Sequence, residues 1–226
     1  MTLPRRRFLH LAAGAAALSA VSRFAWAQAY PSRLVRLSVG FPAGGTNDIH
    51  ARLIADWLSK QFGRSFIVEN RPGAAGNIGL ESVVRAAPDG YTLSVCGSTE
   101  LRNEILYNDL KFSFLRDTAP VASMILAMNV LVVHPAFSVR SVPELIAAAK
   151  ANPGALTVAS AGVGSTSHVF WELFSSMTGT RMLHVPYRGG APAITALLSE
   201  QVQVYFANIA EAMEYIKTGK LRVRLG

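Results

Sequence analysis

Leu34–Gln61 reads LVRLSVGFPAGGTNDIHARLIADWLSKQ. Leu34, Val35, Leu37 and Val39 form a short β-rich run, and Gly40 to Gly45 interrupt it. Ile49, Leu53, Ile54, Trp57 and Leu58 then recur on one face of a 3.6-residue period. The spacing predicts a strand, a glycine turn and a helix. Thr46 or Asn47 is expected to cap that helix, and Asp48 falls in its first turn, where a negative charge suits the dipole. Pro42-Ala43-Gly44-Gly45 therefore sits between the carboxyl end of a strand and a helix N-terminus. Backbone N–H groups converging there would receive an anion without a cationic side chain. A tight strand-to-helix connection is the plainer reading of the same glycines.

The same unit recurs along the chain. Phe66-Ile67-Val68 leads into the glycine loop Glu69–Asn77, then a helix through Ile78, Val83 and Val84 that Pro88-Asp89-Gly90 stops. Tyr91–Cys96 is a third strand, with Gly97-Ser98-Thr99 as its loop. Residues 111–120 are irregular, and Val121–Val133 is a long strand or a crossing between domains. Ser141-Val142-Pro143-Glu144 is a capping box for Leu145–Lys150. Leu156–Ala159, Met182–Val185 and Val202–Phe206 are strands, followed by helices through Val169–Phe174, Pro192–Ser199 and Asn208–Thr218. Two groups of βα units predict α/β architecture with mainly parallel sheets. The domains expected are 28–128 and 129–226. Every Gly/Ser-rich loop follows a strand, and in open parallel sheets ligands bind at that edge.

Residues 1–27 stand apart. Arg5-Arg6-Arg7-Phe8-Leu9, the apolar run Leu11–Val21 and Ala25-Trp26-Ala27 have the order of an export signal, resembling the twin-arginine type. An arginine-rich general secretory signal is the alternative. The full chain of 226 residues carries +8. Without the first 27 residues it holds 199 and the charge falls to +4, because four arginines leave with them. Most of the basicity is therefore the signal's, and no Lys/Arg cluster interleaved with aromatics points to nucleic acid. Cys96 is the sole cysteine, so no internal disulfide is possible; it reads as a buried strand thiol.

Catalytic patterns fail one by one. Gly44-Gly45 lacks the dinucleotide fingerprint, and Gly162-Val163-Gly164-Ser165-Thr166 lacks the lysine of a phosphate loop. Ser165 and Thr166 can hold a carboxylate or simply cap a helix. His168 and His184 have no acid at an orienting spacing and read as hydrogen-bonded structural residues. No serine elbow and no metal-ligand spacing occurs, so neither enzyme chemistry nor a cofactor or metal is expected. Arg188 is the cation in a ligand-side loop, able to grip a carboxylate in two places or to stand in solvent. Tyr187 beside it offers a hydroxyl or a lid surface.

FPAGGTNDIHAR (Phe41–Arg52), ENRPGAAGNIG (Glu69–Gly79), PDGYTL (Pro88–Leu93), SAGVGSTSH (Ser160–His168) and HVPYRGGAPA (His184–Ala193) occur in this order. With the export signal, they make the chain resemble the substrate-binding proteins of tripartite tricarboxylate transporters, the Bug/TctC family. The resemblance implies a periplasmic, monomeric Venus flytrap of two α/β domains, similar to the type II binding proteins. It implies a di- or tricarboxylate or acidic amino acid held between the domains and delivered to membrane permease subunits. By that resemblance Ala43, Gly44, Thr46 and Asp48 form one jaw, with Ser98 and Thr99 near it, although Cys96 and Glu100 depart from the family pattern. Ser165, Thr166, Tyr187, Arg188, Gly189, Ala191 and Asn208 form the other. Family members run further than Gly226, so a truncated or frameshifted product, or an incomplete gene model, is expected. A ligand-sensing flytrap for a membrane receptor and a non-functional fragment are the alternative readings.

Overall fold

The structure is a computed structural model and describes residues 30–223; the export signal expected over 1–27 lies outside them. Three parallel strands form the first sheet in the order β2-β1-β3: β1 (Val35–Val39), β2 (Phe66–Asn70) and β3 (Thr92–Val95). Alternation along β1 sends Val35, Leu37 and Val39 into one cluster with Phe66 and Val95. Helix α1 (Thr46–Phe62) covers that face, and here the expected apolar stripe is corrected. Its buried positions are Asp48, Ala51 and Ala55, whereas Leu53 and Trp57 are exposed. Two alanines one turn apart let the helix axis lie close to the strands; Ile54 and Leu58 of the expected stripe pack on the same cluster, and Leu53 and Trp57 turn outward.

The cap is also corrected. Gly45 takes the N-cap position without a side-chain bond, and Thr46 opens the helix. Helices α2 (Asn77–Val84) and α3 (Ser98–Leu106) follow β2 and β3, so the Ser98-Thr99 loop is the first turn of a helix. A short helix α4 (Phe114–Asp117) interrupts the irregular stretch. Residues 119–128 have no regular structure, and the long apolar run becomes a strand only at β4 (Asn129–Val133).

The second sheet has the order β6-β5-β7-β4-β8, from β4, β5 (Thr157–Ser160), β6 (Leu183–Pro186), β7 (Val204–Asn208) and β8 (Arg222–Val223). Strands β6, β5 and β7 are parallel, and β4 runs antiparallel to β7 and β8. Period-two alternation divides its core. Val204, Phe206, Val158 and Val133 join Leu145 and Ala149 of α5 (Val142–Ala151) and Trp171 of α6 (Thr166–Thr178). Tyr205, Ala207, Ala159 and Val132 point the other way, against Ala193, Ile194 and Leu197 of α7 (Gly190–Leu198). Helix α8 (Ile209–Lys217) adds Ala212 to that side. The sheet is thus covered on both faces, which explains four consecutive buried residues in β7. Ser141 caps α5 as expected, accepting from the Glu144 amide, and Gly179 ends α6 in the left-handed conformation. Among the described residues no helix is long and apolar enough to cross a membrane.

Candidate functional site

A cavity of about 460 Å³ lies where the carboxyl ends of four parallel strands meet. From the first sheet come Gly40, Phe41 and Pro42 after β1, and the Pro72–Gly76 loop and Ile78 after β2. From the second come Ala161 and Gly162 after β5, and Tyr187 and Arg188 after β6. The edge singled out by the βα pattern is where the space opens, and its size suits a small organic ligand.

The first wall is held by backbone packed on backbone. A Cβ on Gly40 would lie 2.5 Å from the Gly76 carbonyl oxygen, and one on Gly79 would lie 2.6 Å from the Gly40 Cα. Only glycine permits that approach. Ala74 and Ala75 both have positive φ (46° and 51°), a costly conformation for alanine that the packed loop enforces. Asn103 Nδ2 donates to the Ala75 carbonyl at 2.9 Å and to Asn77 Oδ1 at 2.7 Å, pinning the loop from behind. Glu100 stands behind Gly76: a Cβ there would fall 2.7 Å from its carboxylate. That carboxyl is buried and accepts from the Gly97 amide at 2.9 Å. Burial raises it to about 7, against the pull of that hydrogen bond and the nearby Arg102.

Side chains wire the second wall. The Ala161 amide donates to Ser167 Oγ at 2.9 Å, the Gly162 amide to Ser160 Oγ at 3.2 Å, and the Gly164 amide to His168 Nδ1 at 3.2 Å. His184 Nε2 meets Ser160 Oγ at 2.6 Å, and the two imidazoles stack with ring centres 4.4 Å apart. Burial first, then His168, depress the His184 imidazolium below its ordinary range. His168 Nε2 lies 3.5 Å from Glu172. Both histidines are hydrogen-bonded within this wall, but the expectation of no acid at an orienting spacing is corrected by Glu172, one helical turn after His168.

Of the thirteen residues expected at the site, Tyr187 and Arg188 line the cavity. Arg188 is exposed, and no described acid forms an ion pair with it. Several others join the two halves instead. Thr46 donates to Glu211 Oε2 at 3.1 Å, and Arg102 donates to the Gly164 carbonyl at 3.1 Å and to Thr166 Oγ1 at 3.2 Å. Gly189 packs on Pro42, and Ala191 faces Gly44. Thr99 is buried within Arg102's reach at 3.4 Å, and Ser98 is exposed at the start of α3. Ser165 caps α6 by accepting from the His168 amide, Asn208 caps α8 by accepting from Ala210, and Ala43 is exposed.

Three helix starts are filled by the chain's own acids. The Gly44 amide, expected to be free for an anion, donates to Asp48 Oδ2 at 2.9 Å. Burial opposes the Asp48 charge, but bonds from Arg52, Gly44 and Asn70 outweigh it and hold the carboxyl below its ordinary range. The Gly97 amide goes to Glu100, and the Asn208 amide to Glu211 Oε1 at 3.2 Å, which also accepts from Tyr205 Oη at 2.7 Å. Burial raises Glu211 despite these donors, and raises the Tyr205 phenol further. Cys96 is half-buried just after β3, which corrects the buried strand thiol expected, and burial and next Glu100 push its thiol up to about 11. Among the described residues no group of three or more His, Cys, Asp or Glu side chains stands close enough to hold a metal.

Residues 50–225 match the family model described as "Tripartite tricarboxylate transporter family receptor". Protein BugT of Bordetella pertussis is 35% identical over 198 residues, covering 87% of this chain and 61% of BugT. The chain thus spans about three-fifths of that relative's length. Among solved structures, R. palustris Rpa4515 with adipate superimposes with a TM-score of 0.82 at 35% identity, over 86% of this chain and 66% of the other. MatC from Rhodopseudomonas palustris with bound malate gives 0.79 at 31% identity, over 87% and 67%. With the α/β fold and the strand-end cavity, these matches place the chain in the TctC family of periplasmic solute-binding receptors.

Proposed function

We propose that this protein captures a small carboxylate in the cavity between its two sheets and passes it, chemically unchanged, to a tripartite membrane transporter. The observation that carries this reading is the junction itself: four strand ends from both sheets enclose one space, and Arg188 is the charged side chain on its lining. A guanidinium without a protein acid is free to form paired hydrogen bonds with a carboxylate. The dicarboxylates in two related structures support the ligand class. In this reading 28–128 and 129–226 are separate domains that close on the ligand, shifting population toward a closed form. The protein acts as a monomer after export by the twin-arginine route.

Ligand that binds only the folded state stabilises it by mass action. At about a hundredfold excess over Kd, a carboxylate should raise Tm by roughly 5–10 °C. The trial set is malate, adipate, glutamate, hexanoate and benzoate, and no shift with any of them would sink the proposal. Arg188→Ala should weaken binding by about tenfold or more, the scale of a charged hydrogen bond. An affinity within about twofold of the parent would remove Arg188 from the role.

A further inference from the structure

Helix α3, in the first half of the molecule, grips the loop that opens α6 in the second. Arg102 Nε donates to the Gly164 carbonyl at 3.1 Å, and its Nη2 donates to Thr166 Oγ1 at 3.2 Å. A Cβ on Gly164 would lie 2.7 Å from Leu106 Cδ1 and 3.3 Å from Asn103 Oδ1, so the loop is seated directly on the helix. Every acceptor of the Arg102 guanidinium is a neutral oxygen, the third being Thr99 Oγ1 at 3.4 Å in its own helix. No described acid stands at ion-pair distance from it. Its charge also meets the first turn of α6, the end of a helix dipole that favours anions and repels cations. Neither pairing nor the dipole explains the placement. What the side chain gains is two charged hydrogen bonds to the opposite half. Next to it, Asn103 Nδ2 holds the Ala75 carbonyl at 2.9 Å, so the residue under Gly164 also fixes a loop that lines the cavity.

We infer that Arg102 is a clasp: it draws the second half onto α3 independently of any solute, and so sets how readily the cavity opens and how tightly it holds what it captures. This rests on the domain closure proposed above and concerns its regulation. Arg102 does not line the cavity, so it acts on the solute through the arrangement of the two halves. The bonds involve the chain's own groups alone and favour the closed form in the free protein. A binding-competent form that is already populated raises apparent affinity, and a clasp that must release slows entry. The Thr46–Glu211 bond is a second tie, between the ends of β1 and β7, whereas Arg102 joins those of β3 and β5. Loss of Arg102 should therefore loosen the halves without parting them.

Small-angle X-ray scattering of the 226-residue protein without solute tests the clasp directly. Arg102→Ala should have a larger radius of gyration than the parent. Thr166→Val removes one of the two bonds from the far side and keeps the side-chain shape, so it should expand the protein less. Stopped-flow mixing with adipate or malate should show Arg102→Ala associating severalfold faster and dissociating faster still, so that affinity falls about threefold to tenfold. An arginine that merely stabilised the fold would lower Tm on removal and leave association no faster. The parent's radius of gyration in both variants, or association no faster than the parent's in Arg102→Ala, overturns the inference. If Arg102→Ala does not fold, Thr166→Val decides by the same two measurements. If neither acid binds the parent, carboxylate capture fails separately, and the scattering still decides the clasp.

Discussion

The two walls of one cavity are stiffened by different means. The first is glycine backbone pressed on glycine backbone, Gly40 against Gly76 and Gly79, with the Glu100 carboxyl sealed behind it. The second is a loop whose amides are tied one at a time to Ser160, Ser167 and His168. Close packing is indifferent to proton concentration, and hydrogen bonds to imidazoles are not. The contrast teaches that a shared space can respond to mutation through one side and to pH through both, with opposite signs.

The largest effect should come from the first wall. Gly40→Ala places a methyl 2.5 Å from a backbone oxygen that has nowhere to retreat. A loss of about 3 kcal/mol in urea unfolding is expected, at the upper end of overpacking costs. A loss under about 1 kcal/mol would show that the contact between the two loops yields easily. Next is Glu100, raised from 4.5 to about 7. The folded state then binds more protons than the unfolded one between these values, so stability falls as pH rises through that window and levels off above it. The full swing is about 3 kcal/mol. Glu100→Gln, which can still accept from Gly97, should abolish that slope; an unaltered slope would assign it elsewhere. Cys96 and Arg102 are the ionisable neighbours to hold constant.

The smallest effect belongs to His184, whose imidazolium is depressed below 6.5. The unfolded state binds the proton more readily, so this contribution is present above pH 6.5 and declines as pH falls below it. His184→Gln retains a partner for Ser160 and should make the acid limb shallower, at about 1 kcal/mol of general stability for a poorer hydrogen bond. If the acid limb is as steep in the variant, the second wall carries no pH sensitivity through this ring. His168 and Glu172 face the same ring and remain in place.

Period and punctuation made most of the fold legible. The terminator Gly179 is a local signal and the helix ends where it points, whereas the strand expected over Val202–Phe206 lies two residues further on, at Val204–Asn208. The covered face of α1 was only partly legible from the large residues, because Ile54 and Leu58 pack beside Ala51 and Ala55 while Leu53 and Trp57 are exposed. The Thr46 hydroxyl was assigned to a local cap, yet its partner Glu211 lies 165 residues away. At the cavity, the strand-end rule points to the edge where the space opens, while the residues that the resemblance places in the first loop lie beside the lining instead of on it. Phe41 and Pro42 line the space, while Ala43 is exposed and Gly44 is tied to Asp48. The Pro72–Gly76 loop carried a readable cue in its glycines. The stacked imidazoles did not, since residues sixteen apart meet only through the pairing of β5 with β6.

Asp48, Glu100 and Glu211 each accept from an amide at or just before the N-cap of their own helix. A carboxylate tethered three or four residues away competes at an effective concentration in the millimolar range or above. Chloride and phosphate meet these three amides already bonded to a carboxylate. The molecule thereby keeps three of its strongest anion-attracting points quiet, so that background salt has little purchase on it and a scarce solute need not contend with inorganic ions there.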